Sequence, residues 1–206
     1  MCTAGSPLCQ SPREGRSNKA RLHEFTFHPL YAMIRTVIEK ANKLKAMTQL
    51  YGNWPAAVLD RLHCRPRQPA TYKLHDGISF HVQSRAFDVR IISEIWIDKI
   101  YTPEPDYAIR EGWNVVDVGA HKGIFAVFAA SRAPSVKVYS FEPSPANFAC
   151  LCDNIRLNNL ENVMALNVAI ASRNGEATLY LAEDSGCNSL IERTDVELRG
   201  KAAVET

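Results

Sequence analysis

The chain has 206 residues, 46% of them apolar and 22% charged, an ordinary globular balance with length enough for one sizeable core and an N-terminal appendage. Twenty-four basic against 22 acidic side chains leave a net charge of +2, so no global field argues for nucleic acid as a partner. No apolar run reaches the roughly 18 residues that would cross a bilayer, no secretory h-region precedes residue 20, and Cys2, Cys9, Cys64, Cys150, Cys152 and Cys187 form neither a zinc-type pair nor a disulfide framework. A cytoplasmic protein with reduced thiols and no metal site is expected.

Residues 1–22 mix Ser, Pro, Gly, Arg and Lys without an apolar period and read as a flexible tail. A helical extension covers 23–70. From Pro29, a good first helical residue, Leu30, Ile34, Val37, Ala41 and Leu44 recur at spacings of four and three, giving one apolar stripe. Arg35, Lys40, Lys43 and Lys45 occupy the other positions. Such a helix docks on its own domain or on a second subunit, or lies on an anionic membrane, and docking is the commoner outcome.

The main domain runs over 71–206. Thr71 to Leu74 and Ile78 to Val82 flank His75-Asp76-Gly77 as a β-hairpin, with Asp-Gly supplying positive φ angles. Asp88 is placed to cap a helix running to about Lys99, with Val89, Ile92, Ile95 and Trp96 on one side. Pro103 and Pro105 then break it.

An alternating βαβαβ pattern follows: strand Asn114 to Val118, helix Gly123 to Ser131, strand Val136 to Phe141, helix Ala146 to Leu157 and strand Val163 to Val168. That alternation implies a parallel sheet with right-handed crossovers. Ser144-Pro145 marks the start of the second helix. Glu176 to Leu181 reads as a further strand, and the polar remainder shows no second half of the fold.

The chemistry concentrates where the first strand runs into Gly119-Ala120-His121-Lys122-Gly123, at the carboxyl edge where open α/β sheets bind ligands. Gly119 lets the backbone pass close under a ligand, and Gly123 lets the next helix approach the strand. His121 stands where a dinucleotide motif needs its middle glycine. Asp117, at the strand end, repels a pyrophosphate but suits the ammonium of a methionine moiety, which favours S-adenosylmethionine over NAD. Glu142, ending the second strand 25 positions later, suits the two hydroxyls of a ribose. Asn167, ending the third, either bonds an adenine or merely terminates its strand. His121 is chemically able to act as a base, but a packing role is commoner, and no catalytic residue is assigned.

The runs VVDVGAHKGIFAVFAA, VYSFEPSPANFACLCDNIRLNN and VMALNVAIASRNGEATLYLA resemble the FkbM-type methyltransferases, and the resemblance reaches back through HDGISFHVQSRAFDVRIISEIWIDKIY to cover about 71–190. It implies a Rossmann-like class I methyltransferase fold in three αβα layers. It also implies S-adenosylmethionine as cofactor and a hydroxyl oxygen on a sugar or secondary metabolite as acceptor. By resemblance Asp117, Gly119, Gly123 and Glu142 hold the cofactor, with Ala120 and His121 in the same loop. Glu94 matches an acidic position of the family facing the pocket, and Asn154 and Asn158 match a structural N-I-x-x-N run. The family's later Leu-Asp and D-x-E-G strands are absent before Thr206, so the fold is expected to be incomplete at its C-terminus. A small-molecule O-methyltransferase is therefore the first expectation, a non-catalytic cofactor-binding remnant the second, and an NAD-binding protein the weakest. An unpaired sheet edge favours a homodimer.

Overall fold

The computed structural model describes residues 29–84, 87–183, 185–192, 194, 195 and 197–206, so the expected N-terminal tail lies outside the described residues. The chain divides into two compact units, Met1–Ile38 and Glu39–Thr206. The described part of the first is the beginning of helix α1 (Pro29–Leu50). There Ile34 and Val37 of the expected stripe are exposed, as are Tyr31, Met33 and Ile38. Packing begins further along α1, with Leu44 half-buried and Met47 fully buried.

In the second unit a short helix, α2 (Trp54–Arg61), was not foreseen from the sequence; it opens on Pro55 and is only eight residues long. Strands β1 (Pro69–Lys73) and β2 (Ser79–Gln83) pair antiparallel as expected, Thr71 facing His81 and Tyr72 facing Phe80. In the connection only Gly77 has a positive φ, and Asp76 instead accepts hydrogen bonds from the Ile78 amide and the Trp96 indole. Helix α3 (Asp88–Trp96) stops three residues short of Lys99. Lys99 adopts a left-handed φ of 53° and the amides of Ile97 and Asp98 fold back onto the Ser93 carbonyl, so the helix closes before either proline.

The core sheet is β3 (Asn114–Val118), β4 (Lys137–Phe141) and β5 (Val163–Leu166), parallel and in the order β3-β4-β5. Helices α4 (Ile124–Ala130) and α5 (Pro145–Leu157) are the crossovers. This is the Rossmann-like α/β arrangement that the strand–helix alternation implied. Register fixes its two faces. Val115, Val138, Val163 and Ala165 lie on one and pack with Ala126, Ala129 and Leu151 of the helices. Val116, Val118 and Met164 lie on the other and are exposed.

β6 (Glu176–Ala182) pairs antiparallel with β7 (Leu198–Glu205), a strand the sequence reading missed. LRGKAAVE has a single β-branched residue, and its inward face, Leu198, Gly200, Ala202 and Val204, includes a glycine and an alanine, so neither strand propensity nor a strong apolar period announces it.

Candidate functional site

The turn after β3 is shaped by three left-handed residues in alternation: Gly119 at φ 76°, His121 at 52° and Gly123 at 77°. Such a φ costs a non-glycine residue about 1–2 kcal/mol, so His121 must be held there. Its amide donates to Glu142 Oε2 at 2.7 Å. The amides of Gly119 and Ala120 both donate to the Phe141 carbonyl at 2.9 and 3.0 Å, and that of Gly123 to the Ala120 carbonyl. Four amides that a pyrophosphate cradle would leave free are thus already engaged within the protein. A Cβ on Gly119 would meet no protein atom within 4 Å, so within the protein its requirement is the backbone angle. Gly123 has both demands, since a Cβ there would overlap the Leu151 side chain.

Two carboxylates flank the turn. Glu142 is buried, only 4% exposed, with Oε1 accepting from the Ser144 amide at 2.9 Å and from Asn147 Nδ2, and Oε2 committed to His121. Burial pushes its carboxyl above the usual range, and these donors partly offset that. Asp117 has no such support. Its Oδ2 is buried without a partner, and so is Oγ of Ser140, its cross-strand neighbour in the β3–β4 register. Burial, and secondarily the charge of Glu142, raise Asp117 from its ordinary 3.8 to about 6. A cation is what this corner lacks electrostatically.

Further residues fix the loop. Asp88, expected as a helix cap, is instead the first residue of α3 behind Phe87; its Oδ2 accepts from the Gln83 amide and from Lys122 Nζ at 2.6 Å, both ion-pair partners being buried. The Lys122 carbonyl accepts from Asn154 Nδ2, whose Oδ1 receives the His81 amide, while Asn158 bonds both the amide and the carbonyl of Ser79. The two asparagines thus act as an edge for β2. Ser185, the first residue of a short 3-10 turn (Ser185–Cys187) beyond β6, places Oγ 2.8 Å from His121 Nε2 and its carbonyl near Asn147 Nδ2. The Asp88–Lys122 and His121–Ser185 contacts carry no sequence signal, because their partners stand 34 and 64 positions apart. The amide of Asn167, just beyond β5, donates to the Glu142 and Pro143 carbonyls. The Glu94 carboxylate lies 3.1 Å from Arg90 Nε one helical turn away, and no described hydrogen bond joins it to the loop.

Residues 106–181, from just before β3 into β6, match the TRM5/TYW2 methyltransferase domain. Methyltransferase 1 of Beauveria bassiana is 28% identical over 127 residues, 60% of this chain and 49% of that protein. Methyltransferase sdnD of Sordaria araneosa is 30% identical over 119 residues, 56% of this chain and 44% of its own. The 31-O-demethyl-FK506 methyltransferase FkbM of Streptomyces tacrolimicus is 43% identical over 61 residues, 30% of this chain and 23% of that one. Over this span the chain is similar to methyltransferases of the FkbM and TRM5/TYW2 kinds. It spans about half the length of the first two relatives. The matched span of the methyltransferase domain contains the whole glycine turn and both carboxylates. The donor set fits S-adenosylmethionine: among the described residues, an unpartnered carboxylate oxygen for a cation, a second acid at the neighbouring strand end, and a turn with four of its amides engaged.

Proposed function

We propose that the chain binds S-adenosylmethionine at the carboxyl edge of β3 and β4 and directs methyl transfer to a hydroxyl oxygen of a small molecule, a sugar or a secondary metabolite, in the cytoplasm. The observation that carries the reading is the half-buried Asp117, whose Oδ2 is buried without a partner among the described residues, beside a turn with four engaged amides. The cofactor, when bound, supplies an electrophilic methyl on a cationic sulfur. Asp117 would receive its ammonium. Gly119, Ala120, His121 and Gly123 would form the floor, and Glu142 would accept ribose hydroxyls on the lone pairs its amide partners leave. Asn167, with its amide committed, retains Oδ1 for an adenine amine. Glu94 is a peripheral member, since its pair with Arg90 must open first. The chain's remaining task is to hold an acceptor oxygen about 3 Å from the methyl carbon and exclude water.

Isothermal titration of the purified chain with S-adenosylmethionine, with NAD as control, tests the site. Wild-type binding that weakens by about tenfold or more in Asp117→Asn and Glu142→Ala, with no NAD binding, is expected. A folded wild-type chain that binds neither ligand, or binds NAD equally, overturns the reading. Binding without turnover on any hydroxylated acceptor would keep the cofactor site and remove the transferase claim.

A further inference from the structure

Two polar atoms lie buried without a hydrogen-bond partner on adjacent strands, Oδ2 of Asp117 on β3 and Oγ of Ser140 on β4. The residues are register partners, so their side chains leave the sheet on one face with Cα atoms about 5 Å apart. Val115 and Val138, two positions earlier on that face, pack with Ala126 and Leu151 of α4 and α5. Ser140 is fully buried there, and a buried hydroxyl with nothing to bond costs about 1–3 kcal/mol. Each residue has what the other lacks, since a hydroxyl has a proton to give and an ionised carboxylate only accepts. A serine hydroxyl moves among three staggered χ1 wells, so pairing the two needs a rotamer change and no shift of either strand.

We propose that Ser140 is a positioning residue for Asp117: its hydroxyl turns to donate to Oδ2 when the carboxylate is ionised, and so holds the acid in the charged form that receives an ammonium group. The inference rests on the reading of Asp117 as a cofactor residue, but the contact itself is measurable without any ligand. The charged and titratable groups around the pair are otherwise engaged. Glu142, beyond β4, accepts from the His121 and Ser144 amides, and its charge adds to the cost of ionising Asp117. In the turn, Lys122 is paired with Asp88 and His121 Nε2 lies against Ser185 Oγ. On α5, Arg156 pairs with Asp153, and the charges that act on Cys150 are Lys122, Asp153 and Asp88. The segments β5 (VMAL) and α4 (IFAVFAA) bring no ionisable side chain. Ser140 is therefore the donor that the fold sets beside Oδ2.

Carbon-13 NMR titration of the Asp117 carboxyl in the full chain without ligand tests the contact, with Asp117→Asn to identify the resonance. In Ser140→Ala the midpoint should rise from about 6 by about one pH unit. Stability of that variant should fall relative to wild type at pH 7.5 and not at pH 4.5, because the donor matters only to the ionised acid. Affinity for S-adenosylmethionine should drop about threefold at pH 6.5 and converge on wild type by pH 8.5. The same substitution made in Asp117→Asn should leave affinity nearly unchanged at both pH values. An unmoved midpoint, or a stability change equal at pH 4.5 and 7.5, gives Ser140 a packing role only and overturns the proposal. A raised midpoint in a chain that does not bind S-adenosylmethionine keeps the Ser140 contact and overturns the cofactor reading instead.

Discussion

Asp117 illustrates how a residue proposed to bind a cofactor can work against its own fold. Its carboxyl, raised to about 6 against 3.8 in an unfolded chain, holds a proton more tightly when folded. Its stabilising contribution is therefore complete below about pH 4 and is lost as pH rises through 6, leaving a buried charge at neutral pH. Asp117→Asn should then melt higher than wild type at pH 7.5, by of order 2 kcal/mol, with the gap closing toward pH 4. The same substitution should weaken S-adenosylmethionine binding, and wild-type affinity should rise between pH 5 and 7.5 while the variant's stays flat. Urea melts and titrations at three pH values would show it; parallel pH profiles for the two proteins would remove Asp117 from the site. The position of Asp117 at a strand end was legible in the sequence. Its missing partner was not, because a hydrogen bond is a matter of surroundings rather than spacing. Glu142 was likewise found from its strand end, whereas its grip on the His121 and Ser144 amides came only from the folded backbone.

The hairpin and α3 preceding β3 hold the glycine turn through a buried ion pair. Asp88 reaches Lys122 at 2.6 Å from the start of α3, with both side chains shielded from water. Removing one partner strands a buried charge, so Lys122→Met or Asp88→Asn alone should cost about 3 kcal/mol or more. The double variant should recover part of that loss, since an apolar replacement avoids desolvating two charges. Chemical denaturation of the three variants measures this double-mutant cycle, and strict additivity would mean that the pair carries no coupling. The sequence placed a helix here, and the periodicity of Val89, Ile92 and Ile95 accounts for its buried side. It misassigned Asp88 as a cap because a carboxylate before an apolar run reads that way locally, while the competing lysine stands 34 positions on.

Over the whole molecule, the half-sheet leaves β3 paired on one side and Val116, Val118 and Met164 bare on one face. An apolar face joined to an open strand edge associates with like surfaces. Concentration-dependent self-association is expected by light scattering, and Val116→Lys/Val118→Lys should reduce it. A monodisperse monomer at high concentration would contradict this. The stripe on α1 teaches the complementary lesson, since its heptad-like spacing implied docking and its first turns are exposed. Periodicity reports that a face is apolar and is silent about what covers it.

By itself the sequence determined the alternation of strands and helices from β3 to β5, the parallel sheet, the glycine turn and the two acids at successive strand ends. Each of these follows from local pattern: period, turn residues and the fixed chirality of the crossover. Tertiary structure alone decided which atoms are satisfied: the four engaged amides, the solitary Asp117 oxygen, the Asp88–Lys122 pair, Ser185 over His121, and the pairing of β7 with β6. Those depend on residues tens of positions apart meeting in a low-dielectric interior, where an unmet charge or donor is costly and no local pattern records the partner.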